Sequence, residues 1–162
     1  MVDLKEHKIE KNALTDLLDA LSSGYGYSVS NFSKQSGFVA GSSTSENFKS
    51  FINSAYLKDK YDTYQDIPVF REIFGYEIVG TLVNFLLRGG VFDKCISNES
   101  EAYHLAKTCI KEIYGENMLS LTGYVSDTAW NECFEDEIID DSLIVWCASR
   151  RLWWVLLITD KD

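Results

Sequence analysis

The end of this chain constrains its fold more than any other segment. In SLIVWCASRRLWWVLLITDKD, two runs rich in apolar, β-branched and aromatic residues flank a short break at Ser149–Arg151. Such runs around a polar break read as two strands joined by a tight turn. An antiparallel sheet containing this pair is therefore expected, and the remaining chain must supply what packs on it.

Helical periodicity dominates the earlier sequence. Asn12 to Leu21 places Leu14, Leu17, Leu18 and Leu21 on one face. The Gly- and Ser-rich stretch that follows can hold short strands around Tyr27–Phe32 and Gly37–Ala40. Thr44 or Ser45 then caps a helix carrying Phe48, Phe51, Ile52, Ala55 and Tyr56 at helical spacing. Val69 to Arg88 gives the strongest helical pattern, apolar around most of its circumference, with Glu77, Thr81, Asn84 and Arg88 as a narrow polar stripe. Gly75 and Gly80 inside it read as points of close packing, and Gly89 and Gly90 as its end.

Val91–Ile96 reads as a strand. Asn98 followed by Glu101 forms a capping-box-like start to a helix that buries Ala102, Leu105, Ala106, Cys109, Ile110 and Ile113 and closes at Gly115. Met118–Val125 alternates like a half-buried strand, with Leu119, Leu121 and Val125 on one side, and Trp130, Cys133 and Phe134 suggest a helical turn. Helices first and a strand pair last suit a single α+β domain over residues 1–162, with a mainly antiparallel sheet and helices packed against one face.

The chain has 162 residues and an apolar share of 46%, enough for one core. With 25 acidic against 15 basic residues its net charge is −10, which argues against nucleic acid or an anionic membrane as partner and for a cationic one. The amino-terminal MVDLKEHKIEKN has no long apolar core, and Leu152–Ile158 is too short to span a bilayer, so a cytoplasmic location is expected. Cys95, Cys109, Cys133 and Cys147 are widely spaced and read as free thiols filling the interior.

No catalytic constellation is legible. The chain lacks a phosphate-cradling GxxxxGK[ST] loop, GxSxG and HExxH. His7 lies in a charged segment, and His104 sits on the polar face of its helix, opposite the stripe that holds Cys109, which argues against a base–nucleophile pair. Two scattered histidines and four separated cysteines give no metal-ligand spacing. The expectation is a non-enzyme without cofactor or metal.

One cluster stands out. Between Glu116 and Ser149 there are eight acidic residues and no Lys or Arg, and six of the eight fall in ECFEDEIIDD. Concentrated like charge destabilises a fold and becomes tolerable when a cationic partner relieves it. Asp127, Glu132, Glu135, Asp136, Glu137, Asp140 and Asp141 are thus the candidate partner-binding residues. A solvated loop that only aids solubility is the plain alternative, and a calcium loop is disfavoured because the D-x-[DN]-x-[DN]-G spacing is missing. Trp130, Trp146, Trp153 and Trp154 read as core, with anchor area in an interface as the other possibility. A second route to a partner is strand addition, should one strand of the final hairpin lie at a sheet edge.

With VFREIFGYEIVGTLVNFLLRGGVFD in its middle and RRLWWVLLITDKD at its end, this acidic chain resembles bacterial immunity proteins of contact-dependent growth inhibition systems. The likeness is one of overall character, without a short diagnostic motif. It implies a cytoplasmic binding protein that blocks the toxin domain of a surface-delivered effector, often a basic nuclease, and some members of that class accept a toxin hairpin into their sheet. An acidic adaptor or structural subunit with an unrelated partner, or an enzyme of unfamiliar type, are the competing readings.

Overall fold

A computed structural model describes residues 3–37, 44–90, 95–116, 118–134 and 139–160. It forms an α+β domain around a six-stranded antiparallel sheet. In chain order the elements are β1 (Asp3–His7), α1 (Asn12–Tyr25), β2 (Gly26–Ser36), α2 (Thr44–Ile52), α3 (Ala55–Tyr61), β3 (Arg71–Phe74), α4 (Tyr76–Arg88), α5 (Glu99–Tyr114), β4 (Leu121–Ser126), β5 (Asp140–Cys147) and β6 (Leu152–Asp160), with a 3-10 turn at Met118–Ser120. The strand order is β1-β2-β6-β5-β4-β3.

The C-terminal hairpin forms as its sequence implies, turning through Ala148–Arg151. It lies in the middle of the sheet, however, and not at an edge. Every residue of β5 and β6 is buried, because alternate side chains enter two separate cores. This explains why LWWVLLI shows no polar alternation: a strand covered on both faces reads as a continuous apolar run.

Helices therefore pack on both faces, not on one. Leu143, Val145, Trp154, Leu156 and Ile158 meet α1, α4 and α5 on the first face. Ile144, Trp146, Trp153, Val155 and Leu157 meet α2, α3 and Trp130 on the second. The second core is aromatic: Phe51 stacks on Trp153 with centroids 4.1 Å apart, and Phe48 on Tyr124 at 3.9 Å. All four tryptophans are interior. Three of their indole N–H groups donate to side-chain oxygens, of Ser142 (2.7 Å), Gln35 (2.8 Å) and Ser30 (2.7 Å), as buried indoles require.

Several local expectations are corrected. The Gly/Ser-rich segment is one strand, β2, while residues 38–40 of the expected second strand lie outside the described residues. The helix from Thr44 breaks at Ser54, whose hydroxyl accepts from the Leu57 amide (3.3 Å) and starts α3. Val69–Arg88 is not one helix, because its first turn is the strand β3 and the helix begins only after Gly75. Gly80 has open space around it, so close packing is not its role. Residues 91–94 of the expected strand are outside the described set, and Cys95 and Ile96 are not in a strand. Leu119, expected on the buried side, is exposed in the 3-10 turn, and Trp130–Phe134 forms a turn with an isolated bridge from Asn131 to Thr63. By contrast α5 starts as its capping pattern implies, with Asn98 Oδ1 accepting from the Glu101 amide at 3.1 Å.

Candidate partner-binding surface

Of the seven acidic candidates, four lie among the described residues, and these four differ in burial. Asp127, just past β4, and Glu132 are exposed. Glu135, Asp136 and Glu137 lie outside the described residues. Asp140 and Asp141 open β5 and are only 6% and 5% exposed. They belong to the interior and not to an open acidic face, because a strand covered on both sides draws its first residues in with it. Asp140 Oδ1 accepts the Thr159 hydroxyl at 2.7 Å, from the residue directly opposite on β6.

Asp141 takes part in a junction between α1, α4 and β5. Arg88, at the end of α4, donates through Nη2 to Asp141 Oδ2 and to the Tyr25 hydroxyl (3.2 Å), while Tyr25 donates to the Phe85 carbonyl (2.7 Å). Burial pushes the Asp141 carboxyl above its usual range, and the facing Arg88 offsets only part of that. Burial likewise lifts Tyr25 to about 12, against the opposing pull of Arg88. Beside this junction an open cleft of about 360 Å³ separates α4 from the ends of β3 and β4, lined by Val69, Arg71, Asn84, Arg88, Asp127 and Asp141. Its charges are mixed, so it is not an acidic basin.

Cys109 and His104 do not form a base–nucleophile pair. Cys109 is fully buried and lifted to about 12 by desolvation, while His104 of the same helix faces solvent. Cys95 is raised to about 11 for the same reason, far from the range of a thiolate at neutral pH. Among the described residues no three His, Cys, Asp or Glu side chains meet in a way that could hold a metal ion, and no helix is long and apolar enough to cross a membrane.

The feature that sequence reasoning missed lies at the β3 edge. Among the described residues no strand pairs with the outer side of β3. Gly75 donates to Leu121 O (3.2 Å), which extends the β3–β4 register by one pair. The alternation of an antiparallel ladder then turns the N–H and C=O of Glu72 and Phe74 outward. Beside these groups three large apolar side chains stand in solvent: Leu119 at 80% exposure, Tyr76 at 61% and Phe74 at 54%. Gly75 draws them together. Its φ of +52° lets the chain pass from strand to helix in a conformation that side chains resist, and Leu119 Cδ2 sits 3.4 Å from where its Cβ would be. Gly123 on β4 serves the same corner, since a Cβ there would meet Ile73 at 2.8 Å and Ile78 at 3.0 Å. Its missing side chain lets β3 and α4 close onto β4. The only signal in the sequence was Gly75 itself, within a pattern that otherwise reads as helix.

No protein-family model and no curated protein sequence matches the chain. The fold defines a class, an α+β domain with a fully covered central hairpin and an apolar sheet corner that pairs with no further strand among the described residues.

Proposed function

We propose that this domain is a binding protein that masks the toxin domain of a surface-delivered bacterial effector in the cytoplasm of the producing cell, with the β3 corner as its main contact surface. The toxin assignment rests on the resemblance to contact-dependent growth inhibition immunity proteins. The observation that carries a binding role is the joint exposure of Phe74, Tyr76 and Leu119 beside outward backbone groups. Large apolar anchors next to an outward-facing strand edge offer both hot-spot area and main-chain hydrogen bonds to a partner. The role of charge is to speed encounter. A net charge of −10, with Asp127 and Glu132 in solvent, attracts a basic partner at long range without those carboxylates having to lie in the contact.

The test is co-expression with the toxin domain of a large secreted effector encoded beside this chain, followed by co-purification and growth rescue. A complex that protects the cell is expected. Phe74→Asp with Leu119→Asp should abolish both, whereas Asp127→Lys with Glu132→Lys should slow association mainly at low salt. Rescue that persists in the Phe74/Leu119 double variant would remove the β3 corner from the proposal. Failure of wild type to bind or protect would remove the toxin.

A further inference from the structure

The outward side of β3 is not simply open. The Phe74 amide, one of its outward groups, donates to Glu77 Oε1 at 3.2 Å. Glu77 lies in the first turn of α4, is exposed, and reaches back over Gly75 to the strand. Arg71 and Glu72 lie on the same short strand, so the edge presents two carboxylates against one guanidinium next to an apolar rim, and the balance stays acidic. We infer that Glu77 guards the β3 edge and makes it selective for an entering strand that carries a basic side chain beside its apolar residues. This inference rests on the strand-docking reading of the β3 corner and names the chemistry of what docks there.

Docking at this edge exchanges one hydrogen-bond partner for another. An entering strand must give its own carbonyl to the Phe74 N–H and so displace the Glu77 carboxylate. The freed carboxylate then stands at the new interface, in the field of a strongly acidic chain. A neutral strand leaves it stranded there, and an acidic strand repels it. A lysine or arginine on the entering strand pairs with it, and a charge-assisted contact replaces the one that was lost. Phe74, Tyr76 and Leu119 cover the apolar residues of the same strand. Edge strands in general are protected from indiscriminate pairing by charges placed beside them, and here the protecting charge also serves as a filter.

Three short, blocked peptides test this. They share alternating valines and carry Lys, Gln or Glu at the intervening positions, and their affinities are measured by fluorescence anisotropy for wild type, Glu77→Gln and Glu77→Ala. Wild type should favour the Lys peptide over the Gln peptide roughly 10-fold, about what one charge-assisted contact contributes. Glu77→Ala should narrow that ratio to about 2-fold and bind the Gln peptide more tightly than wild type does, because nothing has to be displaced. Glu10→Gln, which removes the same charge from the segment after β1, should leave the ratio unchanged. In the free protein, hydrogen exchange at the Phe74 amide should quicken about 10-fold in Glu77→Ala, the loss of roughly one hydrogen bond. Equal ratios in wild type and Glu77→Ala, or an unchanged Phe74 exchange rate, would overturn the guard while leaving strand docking intact. Absence of binding by every peptide to every variant would overturn strand docking and the guard with it.

Discussion

The two edges of the sheet are built to opposite rules. β1 carries Asp3, Lys5, Glu6 and His7 in five residues and is exposed along nearly its whole length. Its Glu6 pairs with Lys60 of α3 at 3.1 Å. Charge along an edge strand is a standard defence against pairing with another chain. β3 has only four residues, of which Arg71 and Glu72 are charged, but three large exposed apolar groups, Phe74, Tyr76 and Leu119, stand at its end and the Glu77 carboxylate is its guard. One edge thus presents charge along nearly its whole length, and the other gathers exposed apolar area at one end. The difference teaches where to look for a partner, and net charge alone had not pointed there.

The sharpest way to break this contrast is to reverse the polarity of the apolar edge. Phe74→Asp with Leu119→Asp should weaken partner binding by at least about 100-fold, or roughly 2.7 kcal/mol, as measured by calorimetry on the purified complex. Both side chains are exposed in the free domain, so its melting temperature should barely move. If binding survives, the two edges are functionally equivalent and the contrast means nothing. The next effect is conformational. Gly75→Ala forces a side chain into a positive-φ joint against Leu119 and should cost about 1–2 kcal/mol in urea denaturation. Gly80→Ala, an exposed helix position with open space, should stabilise by up to about 1 kcal/mol, so the two glycines of one helix-like segment respond with opposite sign.

That segment also shows how far the sequence can be read. The hairpin, α1 and α5 were legible because their signals are local: a turn between apolar runs, an i, i+3, i+4 stripe, an Asn cap. β3 was not. Residues 69–74 are as apolar as the helix that follows, and a pattern apolar around most of its circumference merges strand and helix, while the positive φ that parts them is invisible in the letter Gly. The burial of two of the acidic candidates was hidden for a related reason. Asp140 and Asp141 look like the end of a solvated loop, yet they are the first residues of a strand whose burial is decided by helices far away in sequence. Strand order, which makes β3 an edge and the hairpin a centre, depends on long-range pairing that no local pattern encodes.

The apolar edge depends on α4 being held at both ends, by Gly75 at its start and by the Arg88 junction at its finish. Arg88→Met leaves Asp141 buried without its cation. The cost should be about 1–2 kcal/mol at neutral pH, below the roughly 3–5 kcal/mol of a fully enclosed pair, since Arg88 is half in solvent. Its pH dependence follows from the direction of the shift. The Asp141 carboxyl already lies above its ordinary range in the folded protein, and removing Arg88 raises it further. A group raised on folding favours the fold below its unfolded pKa, and that support is lost as pH rises through the folded value. The gap between variant and wild type should therefore be small in acid and widen toward neutrality in denaturation curves taken across that window. A gap independent of pH would mean that Arg88 acts by packing over Tyr25 and Phe85 alone, where its guanidinium carbon lies 5.9 and 5.6 Å from the ring centroids.

The smallest effect should come from the charged edge. Glu6→Gln removes the pair with Lys60, in which Glu6 is more than half exposed and both long side chains lose freedom by meeting. Exposed pairs of this kind contribute about 0.2–1 kcal/mol and fade with salt, so the cost should be under about 0.5 kcal/mol in low salt and undetectable at 1 M. Affinity for the partner should not change, because β1 lies at the far side of the sheet from β3, with four strands between them. What should change is selectivity against unwanted pairing. If Lys5→Val accompanies Glu6→Gln, the β1 edge loses two of its charges, and light scattering on warming should reveal association that wild type resists. Absence of any such association would show that the charges of β1 are incidental, and the contrast between the edges would then rest on β3 alone.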